Sequence, residues 1–191
     1  LLPDRGDFRA QPEAGPELRY PGICRDKGLG EGPGRSVRIA LPEDEVVFED
    51  LRLGTLRQRP AEQCGDMVVR DQTGSWTYQL CVVVDDIEHG VDLIVRGEDI
   101  LPSTGRQILL GELLGWHRPA YLHHPLILDE TGAKLSKREA SAAIAGLRAE
   151  GRTPEEVLGM AAAATGLLPS ARPIAADELG GLFADGVPRV A

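Results

Sequence analysis

The chain has 191 residues, of which 42% are hydrophobic and 27% are charged, and its formal net charge at pH 7 is −9. These proportions are typical of a folded globular protein and exclude wholesale disorder, while the length predicts one domain or slightly more. The negative charge argues against a protein that binds nucleic acid through bulk positive charge, although it allows a local basic patch.

Membrane insertion and secretion are not indicated by the sequence. Its apolar runs fall far short of the roughly 20 residues of a membrane span, and no secretory signal is visible. Three cysteines without short-range pairing argue against a disulfide framework and favour a reducing compartment, so we expect a cytoplasmic protein. The chain begins with Leu1 rather than Met, and we therefore expect upstream sequence to be missing.

The first third of the chain predicts loops followed by short strands. Residues 1–35 are rich in proline, glycine and charge without any period, which predicts loop. Strands are predicted for Ser36–Ala40 and Glu45–Phe48. A stronger pair, Asp66–Arg70 and Ser75–Leu80, flanks a turn sequence and predicts a β-hairpin.

A continuous apolar run, Cys81–Val84, follows the predicted hairpin. Because it does not alternate with polar residues, it predicts a strand buried on both faces, in which Cys81 is a small buried hydrophobe. Asp85 and Asp86 end the run. They could bind Mg²⁺, act as acid and base, or cap the turn after the strand; capping is favoured, since Asp readily bonds nearby backbone N–H groups.

The next segment predicts a strand, a helix and another strand. Val91–Val95 is apolar, Thr104 and Gln107 have the spacing of a capping box at the start of a helix, and Gly115 is placed to end it. Tyr121–Leu128 can form the second strand. This order implies a right-handed parallel crossover and an α/β fold.

The end of the chain predicts helices. Ala140–Glu150 stops at a glycine, and Thr153 with Glu156 forms a capping box for a helix that runs to Gly166. A last short helix is predicted for Ala176–Phe183.

Arg96 lies where a predicted buried strand ends and a helix is about to begin. Ligands of open α/β sheets bind outside the carboxyl ends of strands, and a guanidinium there can hold a carboxylate or phosphate through two parallel hydrogen bonds. The alternative is a structural salt bridge to Glu98 or Asp99, and the position alone does not separate the two interpretations.

Lys134 and Lys137 flank a Leu-Ser pair beside Arg138, in what should be a loop. Ammonium groups at this spacing could stabilise negative charge on a phosphate. The alternative is a solvated basic turn, which such short clusters usually are.

Tyr20 and Cys24 have the spacing Y-x-x-x-C. One cysteine is not a zinc site, because structural zinc takes four ligands, so a free thiol in a loop is the simpler interpretation of these residues alone. His123 and His124 lie within one predicted strand, so their side chains point to opposite faces and do not readily share an ion.

Five ordered segments together resemble the glutamyl-tRNA synthetase family of class I synthetases. They are R-Y-P-G-I-C-R, W-T-Y-Q-L-C-V-V-V-D-D, G-V-D-L-I-V-R-G-E-D-I-L-P-S-T-G-R-Q-I, Y-L-H-H-P-L-I-L-D and K-L-S-K-R. The likeness runs from about Tyr20 to Arg138, with a looser helical match to about Leu168. Within the family, the chain most resembles the short paralogues whose acceptor is the queuosine base in the anticodon loop of tRNA(Asp).

The resemblance implies a role for each matching residue. The segment K-L-S-K-R corresponds to the family's KMSKS loop, whose residues contact ATP: here Lys134, Leu135, Ser136, Lys137 and Arg138. Lys137 matches the catalytic lysine that binds the ATP phosphates. Tyr78 and Arg96 match the residues that bind L-glutamate. Tyr20 and Cys24 match two of the four ligands of the family's zinc site.

The first half of the family pattern is absent. The sequence has no HIGH-type motif, no R-F-A-P-S-P segment and no C-x-C before Tyr20. We therefore expect a C-terminal portion that is inactive by itself. The resemblance divides it into a loop-rich partial zinc-binding and connective insertion (1–65), the C-terminal half of a Rossmann-like catalytic domain (66–138) and a helical segment (139–191).

The implied activity is ATP-dependent activation of L-glutamate, followed by transfer of the glutamyl group to tRNA(Asp). ATP with Mg²⁺ is the implied co-substrate, Zn²⁺ the implied metal at an incomplete site, and a monomer without membrane contact the implied state. Two alternatives stay open. One is a fragment of a full-length enzyme that charges tRNA(Glu). The other is a non-catalytic module that binds tRNA or a protein partner.

Overall fold

The computed structural model describes residues 19–128, 144–184 and 186. Strands in this part of the chain are β1 (Val37–Ile39), β2 (Val46–Asp50), β3 (Gly54–Gln58), β4 (Met67–Arg70), β5 (Leu93–Gly97) and β6 (Ala120–His124). Its α-helices are α1 (Pro60–Cys64), α2 (Tyr78–Glu88), α3 (Thr104–Leu113), α4 (Ile144–Ala149) and α5 (Pro154–Ala164). Short 3₁₀ helices cover Glu98–Ser103 and Ala176–Phe183.

The larger sheet has four strands in the order β3-β2-β6-β5. β5 and β6 run parallel, and their register places Arg96 opposite His123. β2 is parallel to β6 and antiparallel to β3, and its last residue, Asp50, lies opposite Tyr121. β1 and β4 form a separate antiparallel pair. β6 therefore lies between β2 and β5, with Asp50 beside Tyr121 on one side and Arg96 beside His123 on the other.

Several predicted elements are confirmed. The α/β class is present, and β5, α3 and β6 follow one another as a parallel strand–helix–strand unit. α5 begins with the predicted capping box, in which the Thr153 hydroxyl accepts the Glu156 N–H and the Glu156 carboxylate accepts the Thr153 N–H. β3 and α1 were not predicted from the sequence. The division of the chain at residue 65 stays a prediction, although β2 and β3 share a sheet with β5 and β6.

The first strand of the predicted hairpin is confirmed as β4, but its second strand and the buried strand after it are wrong. The turn after β4 forms, but the chain then enters α2 at Tyr78. Leu80, Val83 and Ile87 share one helical stripe that packs on the core, whereas Cys81 is exposed. Asp85 and Asp86 consequently lie in the last turns of a helix and not after a strand.

The core has two parts, one on each side of α3. Leu110 and Val83 belong to a cluster beneath α2, while Ile108 packs with Phe48 and Tyr121 against the larger sheet. The Phe48 and Tyr121 rings meet edge to face, with centroids 5.8 Å apart. No helix in the described ranges is long and apolar enough to cross a membrane.

One glycine anchors the N-terminal part of the described chain. Gly65 has a φ of 68°, and a Cβ at this position would lie 2.1 Å from the carbonyl oxygen of Tyr20. The Tyr20 N–H also donates to the Cys64 carbonyl at 3.0 Å. Only glycine combines this backbone conformation with so close an approach.

Candidate active site

Arg96 is the centre of the candidate site. It is the fourth residue of β5, beside the carboxyl end of the neighbouring strand β6, as the sequence predicts for a ligand-binding cation. Its guanidinium also lies 5.7 Å from the centroid of the Tyr121 ring. Burial lowers the pKa of Arg96 from its ordinary value, while the nearby Tyr121, Tyr78 and Asp86 raise it. Arg96 still stays charged at neutral pH, because a guanidinium is not deprotonated in proteins.

Three hydrogen bonds fix the plane of this guanidinium. Nε donates to Nε2 of His123 at 3.0 Å, Nη1 to Oε1 of Gln107 at 2.5 Å, and Nη2 to Oγ1 of Thr104 at 2.8 Å. Guanidinium has five N–H donors, so these bonds leave two for a ligand. All three acceptors are uncharged, and the positive charge of Arg96 is not neutralised by them.

The salt-bridge alternative for Arg96 fails for Glu98, which pairs with Arg52 instead. The predicted capping box at the start of α3 is also wrong. The N-cap of α3 is Ser103, which makes no side-chain cap hydrogen bond and instead accepts from Gln79 and Arg106. The side chains of Thr104 and Gln107 bond Arg96.

Behind Arg96, His123 forms a buried pair with Asp50. The Asp50 carboxylate accepts the ring Nδ1–H of His123 at 2.7 Å and its backbone N–H at 3.0 Å. The other carboxylate oxygen accepts the backbone N–H groups of Arg52 and Leu53. Burial alone would raise the pKa of Asp50, but the bonds from His123 and these backbone groups outweigh it, so the pKa lies below its ordinary value.

The proton on His123 is assigned by its two neighbours. A carboxylate only accepts, so Nδ1 must carry a hydrogen, and the guanidinium of Arg96 only donates, so Nε2 must be bare. The ring is therefore a neutral imidazole. Burial, and the charge of Arg96 after it, lower the pKa of His123 below its ordinary value despite the hydrogen bond to Asp50.

A further pair of side chains ties Gln107 to α2. Its amide nitrogen donates to Oε1 of Gln79 at 2.8 Å, and the amide nitrogen of Gln79 donates to Oγ of Ser103 at 3.0 Å. Gln79 is the second residue of α2, so the start of that helix is held against α3.

Tyr78, the other residue predicted to bind glutamate, is the first residue of α2 and is 56% exposed. It lies close enough to Arg96 to affect its pKa, as does Asp86. Burial raises the pKa of Asp86, while Arg96 lowers it. The structure thus brings Tyr78 and Arg96 into one neighbourhood, with an exposed hydroxyl-bearing ring beside a largely buried cation.

Tyr20 and Cys24 also lie together, because the Tyr20 hydroxyl accepts the Cys24 backbone N–H at 2.9 Å. A hydrogen bond with the Cys24 thiol raises the pKa of Tyr20. No group of three or more His, Cys, Asp or Glu side chains suited to a metal occurs within the described residues. The guanidinium of Arg38 also stacks 4.0 Å from the Tyr20 ring. Two donors beside a cation do not make the four-ligand site that structural zinc needs.

The predicted ATP-contacting loop, Lys134–Arg138, lies outside the described residues. From the sequence, His123 was considered only together with His124 as a possible ion ligand, and Asp50 was given no role. His123 is the register partner of Arg96, and Asp50 is the last residue of β2, on the other side of β6. A polar residue near the end of each of these strands is the signal that could have pointed to them.

Most of the chain matches a known protein family. The family model for class I tRNA synthetases (E and Q), catalytic domain, matches residues 24–169. The chain belongs to this family. The matched range contains α2, β5, α3 and β6, and therefore the three residues that accept hydrogen bonds from Arg96 in the described part of the chain.

Two similar relatives carry the same name. A glutamyl-Q tRNA(Asp) synthetase of Symbiobacterium thermophilum is 44% identical over 167 residues, which is 84% of this chain and 51% of the relative. Another of Burkholderia cenocepacia is 43% identical over 163 residues, covering 84% of this chain and 53% of the relative. The chain thus spans about half the length of the curated relatives it matches.

Solved structures of glutamate tRNA ligases are also similar to this chain. A crystal structure of a glutamate tRNA ligase from Elizabethkingia meningosepticum, in complex with its amino acid, is 29% identical with a TM-score of 0.57. The match covers 66% of this chain and 29% of that one. The glutamate-tRNA synthetase of Elizabethkingia anophelis matches equally well.

Proposed function

We propose that this chain supplies the glutamate-binding part of an enzyme that activates L-glutamate with ATP and transfers it to the queuosine base of tRNA(Asp). The observation that carries the proposal is the arrangement of Arg96, a largely buried cation whose three protein hydrogen bonds leave two donors for a carboxylate. Tyr78 stands beside it with an exposed ring. Names of relatives at 43–44% identity support this choice of reaction.

The chemistry assigned to the chain is positioning and charge stabilisation. The two outward N–H groups of Arg96 would hold one carboxylate of glutamate, and Tyr78 would add a hydroxyl contact. A site built on such polar contacts rejects analogues that leave it unpaired. Lys137 would stabilise charge on the ATP phosphates, with Mg²⁺ as the companion ion. At the other end of the chain, Tyr20 and Cys24 would need two further ligands to hold zinc.

A second candidate is aminoacylation of tRNA(Glu) at its terminal ribose. It is favoured by the likeness to glutamate tRNA ligases, although these are 29% identical to the chain and the glutamyl-Q relatives are 44% identical. The amino acid and the ATP chemistry are common to both candidates, and only the acceptor differs.

Glutamate-dependent exchange of pyrophosphate into ATP tests the shared step in the complete gene product. Arg96→Ala should raise the KM for glutamate by about tenfold to a hundredfold while that for ATP changes little, because the substitution removes a buried contact to one substrate. Arg118→Ala is the matched control, since Arg118 is exposed and bonds Glu112 and the Val47 carbonyl. Equal effects on both substrates would make Arg96 a structural residue.

The acceptor is decided by offering tRNA(Asp) and tRNA(Glu) side by side with labelled glutamate. Ribonuclease digestion then shows whether the label sits in the anticodon fragment or at the 3′ end. Label in the anticodon fragment of tRNA(Asp) is expected. Label on the end of tRNA(Glu) would select the second candidate, and a complete gene product without glutamate-dependent exchange would favour a non-catalytic binding module.

A further inference from the structure

Four polar side chains behind Arg96 are almost completely buried, although a binding site for a ligand does not require this. His123 and Thr104 are fully buried, Asp50 is 2% exposed and Gln107 is 3% exposed. None of them can reach a ligand from these positions. Buried polar groups cost free energy unless they are fully hydrogen-bonded. We therefore expect a hydrogen-bonded chain of them beside a ligand-binding cation to have a function.

The Asp50–His123 pair presents one defined acceptor to Arg96. Because Asp50 holds the proton on Nδ1, the bare Nε2 faces the Nε–H of Arg96 at 3.0 Å. The Thr104 hydroxyl lies 3.2 Å from the same Nε2 and accepts from Nη2 of Arg96. Nε–H and one Nη2–H are the parallel donors along one edge of the guanidinium, and protein acceptors occupy both. Gln107 accepts one N–H of Nη1, so the N–H groups left for a ligand are one on Nη1 and one on Nη2.

From this geometry we infer that Asp50 and His123 are positioning residues for Arg96, which set the plane and direction of its guanidinium and so determine the affinity for the substrate carboxylate. The inference rests on the proposed function, since it takes glutamate as the ligand. Beyond the proposed function, glutamate binding then depends on one buried acceptor atom, Nε2 of His123. His123 belongs to β6, and Asp50 of β2 orients its ring.

Two amide substitutions separate the positioning role from a purely structural one. In His123→Gln the side-chain oxygen can take the place of Nε2 and accept the Arg96 Nε–H. In His123→Asn the shorter amide reaches only the place of Nδ1, so it keeps the bond to Asp50 but leaves Arg96 without this acceptor. Both variants put an amide in the same buried space, and their urea unfolding midpoints show whether each is folded.

Positioning predicts a divergence between the two variants in the complete gene product. The KM for glutamate in pyrophosphate exchange should rise about tenfold or more in His123→Asn and stay within about threefold of wild type in His123→Gln. The KM for ATP should stay within about twofold in both. If the two variants share the same KM for glutamate, the positioning role is wrong.

A measurement on the unmodified protein keeps the inference testable if both variants fail to fold. Nitrogen-15 NMR of the imidazole groups, with the His123 signals identified by their connection to a ring proton bonded to Asp50, should show a protonated Nδ1 and a bare Nε2. A protonated Nε2 would overturn the inference. A wild-type protein that does not activate glutamate would instead refute the proposed function, and the NMR result would separate the two failures.

Discussion

Replacing Asp50 by alanine should strongly destabilise the fold. The Asp50 carboxylate, 2% exposed, accepts four N–H groups, and the two from His123 are themselves fully buried. A buried donor left without a partner costs about 1–3 kcal/mol. Counting only the two donors of His123, the free energy of unfolding should fall by about 2–6 kcal/mol, a large fraction of the stability of a typical domain.

Asp50→Asn tests the same reasoning more finely. The amide oxygen can still accept the Arg52 and Leu53 N–H groups, but the amide nitrogen then meets two donors of His123. To relieve this, the imidazole would have to move its proton to Nε2, where it would face the Nε–H of Arg96. Asparagine should therefore be clearly destabilising although it has the size of aspartate, by about 1–3 kcal/mol.

Urea-induced unfolding, followed by circular dichroism, measures these effects. Glu49→Ala is the control, because Glu49 is the neighbouring carboxylate on β2 and is exposed, with a bond to the Thr55 hydroxyl. Its loss should change the free energy of unfolding only slightly, as at most exposed positions. If Asp50→Ala lowers the free energy of unfolding no more than Glu49→Ala does, the buried pair of Asp50 and His123 does not stabilise the fold.

Three further outcomes are expected. Because the pKa of His123 is lower in the folded protein than the ordinary 6.5, the unfolded chain takes up its proton first as the pH falls. Stability should therefore decline from about pH 6.5 down to the folded pKa, by at most about 1.4 kcal/mol per pH unit. His123→Gln should remove this decline in pH-dependent urea titrations and His124→Gln should not; the same flattening in both would contradict the assignment. Lys137→Ala should slow pyrophosphate exchange about 10²–10³-fold, and an unchanged rate would remove its ATP role. This chain alone should lose zinc to a chelator, whereas a stoichiometric, chelator-resistant ion would mean that Tyr20 and Cys24 have partners not recognised in the sequence.

Much of the candidate site was accessible from sequence because its signals are local. Arg96 follows an apolar run and precedes a helix, and this order alone places a cation near the carboxyl ends of parallel strands. The five ordered segments identify the family, which the match over residues 24–169 confirms. The roles of Tyr78 and Lys137 stay predictions, and Lys137 lies outside the described residues.

Other features depend on contacts between distant segments. The run after Tyr78 is rich in valine and favours a strand, yet packing of Leu80, Val83 and Ile87 against the core makes it a helix and exposes Cys81. Intrinsic propensity is a weak preference that tertiary burial overrides.

The sequence by itself determined the family, the strand–helix–strand unit and the cation at its edge, because these depend on residue order and short-range periodicity. Only the tertiary structure decided what surrounds that cation. Thr104 and Gln107 have the spacing of a cap, but they bond Arg96, because a buried guanidinium without acceptors would cost free energy. His123 and Asp50 are 73 residues apart in the sequence, and their hydrogen bond forms only because β2 pairs with β6.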